Sequence, residues 1–279
     1  MQNPAALPET ALAPAVKIRI LIADSAERDR MAVAEALRTH KAKIDIIEED
    51  TTEGVIKTLR QSKIDMAFID LKLKDGSGVT AVGQARREGH QPFLVLTSGA
   101  VLPNWAMVAT DLFAYEFLKK PCAGDDIANA FCALGRMRRP TTVMLVDSSE
   151  QTRRIMHKII DGSQFACDID ETDNGHHALK MARTKTYDIA LVDSGLAGMS
   201  GLETACQLQS QFPGTAVVLM LAAANKALAS SLKHFSLQHT LAKPFFARDM
   251  DVLLHQVHGL RRPYLMNAII KTDKPALSA

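Results

Sequence analysis

The sequence repeats itself once on the scale of a domain. Asp24 and Asp147, Asp70 and Asp193, Lys120 and Lys243, and Pro140 and Pro263 recur at one offset of 123 (147 − 24, 193 − 70, 243 − 120, 263 − 140). Residues of different chemistry hold that offset across most of the chain, so each copy must be a folding unit of about 120 residues, an ordinary domain size. The copies are expected at 17–139 and 140–262. A flexible leader is expected at 1–16 and a mobile C-terminal tail at 263–279.

Each copy alternates short apolar runs with stretches of helical periodicity. The runs are KIRILIA, AKIDIIE, DMAFID, PFLVLT and YEFLK in the first copy, and TVMLVD, ACDIDE, YDIALVD, AVVLML and HTLAK in the second. Between them lie segments such as RMAVAEALR, GVIKTLRQ, IANAFCALGRM, GHHALKMAR and DMDVLLHQVHGL, with apolar residues at helical spacing. The stretch ANKALASSLKHF is read as the fourth helix of the second copy. Strand and helix alternating five times implies parallel strands covered by helices on both faces. The fold class expected is therefore α/β, as two tandem five-stranded doubly wound domains of flavodoxin-like strand order 2-1-3-4-5.

Composition narrows the function. With 47% hydrophobic and 23% charged residues the chain is expected to be globular. A formal net charge of +2 gives no electrostatic footprint for nucleic acid, and no DNA-binding motif is present. Cys122, Cys132, Cys167 and Cys206 lie far apart without CxxC spacing, which suits reduced thiols in a cytoplasmic protein. The leader is broken by Pro4, Pro8 and Pro14 and has neither a basic start nor an apolar span, so no signal peptide or membrane segment is expected.

In an open parallel sheet the carboxyl ends of adjacent strands converge on one crevice. Asp24, Asp70, Thr97 and Lys120 take those places in the first copy, and Asp147, Asp193, Ala222 and Lys243 are read as their counterparts in the second. Taken singly, an aspartate ending a strand is most often a helix cap or a turn former. As a set these groups have a further logic: two carboxylates can hold a hard cation such as Mg²⁺, and one can attack a phosphoryl group whose oxygens a lysine and a hydroxyl neutralise.

Asp after strand 1, Asp after strand 3 and Lys-Pro after strand 5, with FIDLKLKDGSG at 68–78 and LVDSGLAGMSG at 191–201, make both halves resemble response-regulator receiver domains of bacterial two-component signalling. The resemblance covers about residues 17–137 and 141–260. It implies that Asp70 is the phosphoacceptor of the first domain and Asp193 that of the second. Asp24, Asp70, Asp147 and Asp193 would ligate Mg²⁺, Lys120, Thr97 and Lys243 would contact the phosphoryl group, and Phe117 would be the switch aromatic.

The departures are specific. Receivers usually carry a second acid after the first aspartate; Ser25 and Ser148 stand there, so Mg²⁺ should bind weakly. Ala222 and Thr240 replace the switch hydroxyl and aromatic of the second copy, which is expected to be partly degenerate. The resemblance implies phosphorelay signalling from a histidine kinase or histidine phosphotransfer protein to a downstream protein target, with a homodimer as a further expected assembly. Nothing after residue 260 looks like an output domain. An adaptor that works without phosphorylation is the alternative. An aspartyl phosphatase is disfavoured because Lys72 and Gly195 stand two residues after the candidate nucleophiles, so no enzyme activity is expected beyond the domain's own phosphotransfer.

Overall fold

A computed structural model describes residues 17–100, 104–222, 237 and 239–266. The described residues divide into two compact units, those up to Gly135 together with 260–266, and those from Arg136 to Gly259.

In the first unit the apolar runs become β1 (Ile18–Ala23), β2 (Ile44–Glu49) and β3 (Met66–Asp70), then β6 (Phe93–Ser98) and β7 (Glu116–Lys119). A two-stranded hairpin, β4 (Lys72–Leu73) and β5 (Gly76–Ser77), follows β3. The helices are α1 (Glu27–Arg38), α2 (Thr52–Gln61), α3 (Gly78–Arg87), α4 (Trp105–Asp111) and α5 (Gly124–Arg138), the last running past the division between units. The sheet is parallel with order β2-β1-β3-β6-β7, which is 2-1-3-4-5 when its five strands are counted alone.

The central strands are buried almost without interruption, as parallel strands covered on both faces must be. Leu21, Ala23, Ala67, Ile69, Leu94, Leu96 and Phe117 meet Val55 and Leu59 of α2, Ala81, Val82 and Ala85 of α3, and Ala109 of α4 in one cluster. Ile20, Ile22, Met66, Phe68 and Leu118 alternate with them along the strands and are buried on the opposite face.

The second unit repeats the plan with β8 (Thr141–Val146), β9 (Cys167–Thr172), β10 (Ile189–Asp193), β11 (Ala216–Leu221) and β12 (His239–Ala242). Its helices among the described residues are α6 (Glu150–Asp161), α7 (Gly175–Thr184), α8 (Gly201–Gln211) and α9 (Ala247–Val257). Its order, β12-β11-β10-β8-β9, is the same 2-1-3-4-5 written from the other edge. The expected helix at ANKALASSLKHF lies outside the described residues. Among the described residues no helix is long and apolar enough to cross a membrane.

The expected mobile tail needs a correction at its start. Pro263, Leu265 and Met266 are buried, and Leu265 belongs to the core cluster of the first unit, because apolar side chains here find a partly open sheet edge to cover. The remainder of the tail and the leader fall outside the described residues.

Candidate functional site

Each strand end delivers its side chain because the strand stops where the crevice begins. In the first unit Asp24 follows β1, and its Oδ1 accepts from the N–H of Ala26 at 2.9 Å, which turns the chain into α1. Arg30 of α1 donates to the Asp24 carbonyl at 2.8 Å and pairs with Glu48 at 3.0 Å, fixing the turn from behind. Asp70 ends β3 and Thr97 stands opposite it in register on β6. The chain returns so closely past Asp70 that a Cβ on Gly78 would fall on the Asp70 carbonyl oxygen; Gly201 meets the Asp193 carbonyl in the same way.

Lys120 leaves the end of β7 just before a cis Lys120–Pro121 bond, and Lys243 leaves β12 before a cis Lys243–Pro244 bond. The Lys120 ammonium donates to Asp70 Oδ2 at 2.6 Å and is paired with the Asp24 carboxylate. It also pairs with Asp29 at 3.2 Å. Asp24, Asp29, Thr97, Lys120 and Cys122 line one cleft. Burial pushes the Asp70 carboxyl up despite the neighbouring ammonium. Burial alone would lower Lys120, but its hydrogen bonds to Asp24 and Asp70 outweigh that and hold it well above the usual lysine range. Burial also raises the Cys122 thiol to about 11, so it is no ready nucleophile.

In the second unit Lys243 donates to Asp193 Oδ1 at 2.8 Å and to Asp147 Oδ2 at 3.2 Å. Asp147 Oδ1 accepts from Ser149 N–H at 2.9 Å, and Arg153 donates to the Asp147 carbonyl at 2.8 Å, the counterparts of the Ala26 and Arg30 contacts. The structure thus gathers Asp24, Asp70, Thr97 and Lys120 in one unit and Asp147, Asp193 and Lys243 in the other.

Phe117 sits apart from that gathering. It is buried on the helix-α4 side, with its ring centroid 4.7 Å from that of Trp105, and is in register with Leu96 rather than Thr97. Thr240 is exposed in the corresponding register position opposite Leu219. Ser25 is half-buried beside Asp24, and Ser148 is exposed.

One sequence equivalence is corrected by register. Asp193 stands opposite Met220, as Asp70 stands opposite Thr97, so Met220 and not Ala222 is the counterpart of Thr97. Ala222 lies one residue beyond β11 and is exposed. The second unit still lacks the hydroxyl, but a buried thioether takes its place.

Asp29 was not legible as a site residue: it reads as an ordinary acid in the first turn of a helix, favoured by the helix dipole. Its counterpart at the same offset, Thr152, carries no charge.

Among the described residues no three His, Cys, Asp or Glu side chains form a group that would hold a metal ion by themselves. Mg²⁺ commonly uses one or two carboxylates and keeps several waters, so the hard oxygen pair Asp24 and Asp70 fits it in kind.

The family model described as the response regulator receiver domain matches this chain twice, over residues 20–131 and 143–257. Relatives are bacterial. The nitrate/nitrite response regulator protein NarL of Escherichia coli (strain K12) is 26% identical over 120 residues, 43% of this chain and 55% of that protein. The photosynthetic apparatus regulatory protein RegA of Rhodobacter capsulatus is 34% identical over 74 residues, 26% of this chain and 40% of that protein. The chain spans about half the length of the curated relatives it matches. A solved two-component system response regulator/GGDEF domain protein superposes with a TM-score of 0.60 at 18% identity, covering 86% of this chain and 97% of that one, a likeness of fold. Matched in both halves and folded in both as five-stranded doubly wound units, the chain belongs to the response regulator receiver domain family.

Proposed function

We propose that the first receiver accepts a phosphoryl group on Asp70 and signals through protein contacts. The observation that carries this reading is the single ammonium of Lys120 set against both Asp24 and Asp70 in a cleft that Thr97 also lines. The donor is the phosphohistidine of a histidine kinase or of a histidine phosphotransfer protein. An Asp70 oxygen attacks phosphorus, the P–N bond breaks, and the imidazole leaves with the electron pair and takes up a proton from water. Lys120 then pairs with a phosphoryl oxygen and the Thr97 hydroxyl donates to another. Burial of Asp70 disfavours its charged form, and Lys120 opposes that by stabilising the carboxylate.

Asp24 and Asp70 are the residues that would hold Mg²⁺, and Ser25 adds at most a neutral oxygen where a further acid would strengthen the site. When bound, the cation supplies neutralisation of charge on the phosphoryl oxygens. Ser25→Asp is expected to tighten Mg²⁺ binding in calorimetry, and unchanged binding would remove Ser25 from the site.

Met220 opposite Asp193 favours a different role for the second receiver, a docking or dimerisation module that works without phosphorylation. Self-association is measured by sedimentation of the full chain. No turnover of a separate substrate is assigned to either unit, and hydrolysis of a phosphomonoester by the pure protein would overturn that. The phosphoacceptor reading is tested with acetyl phosphate, Mg²⁺ and intact-mass measurement. One phosphate adduct is expected, lost in Asp70→Ala and kept in Asp193→Ala. No adduct, from acetyl phosphate or from a phosphorylated kinase, would leave the adaptor reading for both units.

A further inference from the structure

Residues 260–266 follow the second unit in sequence but cluster with the first. They meet β7, an edge strand of that unit's sheet, through a buried carboxylate. Glu116 of β7 is 1% exposed. Its two oxygens accept from the backbone N–H groups of Tyr264 at 3.0 Å and Leu265 at 3.3 Å, and one also accepts from Phe117 N–H at 2.9 Å. The Arg261 guanidinium pairs with Glu116 at 3.3 Å and with Asp126 of α5 at 3.1 Å. Burial raises the Glu116 carboxyl, while these N–H donors and Arg261 act against it.

The other end of the segment is apolar. Leu265, 4% exposed, enters the cluster that holds Ala109 and Leu112 at α4 and Phe117 of β7. Residues 261–266 therefore reach from α5 over β7 to the α4 side. The segment is held by Glu116, Asp126 and a few buried apolar side chains, none of which is a bond of the sheet's own ladder, so it is suited to leave without the sheet coming apart.

We propose that residues 261–266 are an intramolecular strap that occupies the α4–β7–α5 face of the first receiver and is released as a unit when Asp70 is phosphorylated, opening that face to a protein partner. The inference rests on the reading that Asp70 is the phosphoacceptor and that the signal leaves through this face. Strand β7 is the link, because Lys120 follows directly on its last residue, Lys119, and its first residue, Glu116, holds the N–H groups of Tyr264 and Leu265.

Hydrogen exchange on the full chain tests it, resolved to the amides of Tyr264 and Leu265 and to those of Phe68 and Ile69 in β3. In the wild type the strap amides should be protected, yet exchange at least tenfold faster than β3. Leu265→Asp should speed the strap at least tenfold more and leave β3 unchanged; Arg261→Ala is the milder variant should Leu265→Asp unfold the unit. Unprotected strap amides, or strap and β3 exchanging together in wild type and variant, would overturn the strap. With acetyl phosphate and Mg²⁺, an adduct on Asp70 should speed strap exchange at least fivefold. An adduct with strap exchange unchanged overturns the release, whereas absence of any adduct overturns the phosphoacceptor reading and leaves the strap to be decided by the first comparison.

Discussion

Lys120 meets three carboxylates, those of Asp24, Asp29 and Asp70, whereas Lys243 meets two, those of Asp147 and Asp193. The Lys120 side chain is 14% exposed and that of Lys243 29%. Opposite the strand-ending aspartate stands Thr97 in one unit and Met220 in the other. One backbone plan thus carries two different charge arrangements. The first ammonium thus has one more carboxylate around it than the second, while the Arg28 guanidinium also lines the first cleft and has the neutral Gln151 at the same offset in the second unit. The difference teaches that the lysine bridge belongs to the shared architecture, while the third acid and the hydroxyl are what set the first receiver apart.

The largest effect that could break this contrast is all or none. Acetyl phosphate should label the wild type and Asp193→Ala equally and Asp70→Ala not at all; labelling that instead disappears with Asp193→Ala would reverse the roles of the two units. Next in size is loss of the lysine. Lys120→Met leaves buried carboxylates without their counter-ion and should cost the first unit about 3 kcal/mol, while the more exposed Lys243→Met should cost its unit about 1 kcal/mol. Trp105, the one tryptophan of the chain, reports urea unfolding of the first unit by fluorescence, and circular dichroism follows both. Equal costs in the two units would erase the distinction in burial.

Acidity sharpens the comparison further. Burial raises Asp70 above the ordinary value of 3.8, so folding favours its neutral form. That contribution is fully present below the unfolded value and is lost as pH rises through the folded one. Asp70→Asn should therefore raise the urea midpoint of the first unit at pH 7 and do so less at pH 4; a shift independent of pH would contradict it. The smallest effect concerns a helix start. Ser149 caps α6, its hydroxyl accepting from Thr152 N–H at 3.2 Å, whereas Ala26 at the same place before α1 offers no side-chain cap. Ser149→Ala should cost about 1 kcal/mol in the second unit and Ala26→Ser should stabilise the first by about 0.5–1 kcal/mol, both read from urea midpoints.

The offset of 123 made most of the architecture legible, because it pinned strand ends that periodicity alone leaves uncertain by a few residues. All ten strands of the two sheets fall on the apolar runs read from the sequence. The β4–β5 hairpin was not legible: two residues per strand carry no period, and it is anchored instead by Asp75, which accepts from Thr52 and Glu53 N–H groups of α2. Ala222 was misaligned because LMLAAA is apolar throughout and was matched by type, although the offset of 123 carried to Thr97 already points to Met220 (97 + 123 = 220). Arg261 and Pro263 repeat Arg138 and Pro140 by type, yet Thr141 begins β8 one residue after Pro140 whereas Leu265 turns into the first unit's core; residue type could not tell a connection from a strap.

Glu116 and its covering segment also place the two receivers on a timetable. Between Gly135 and Leu260 the ribosome must make the second unit, 124 residues from Arg136 to Gly259. At about 5–20 residues per second that takes roughly 6–25 s, during which the first-made domain waits with Glu116 hydrated and its edge strand uncovered. The receiver that is synthesised first is therefore the one completed last. A chain terminated by a stop codon shortly before Arg261 would carry its defect in the amino-terminal domain, more than a hundred residues upstream of the lesion.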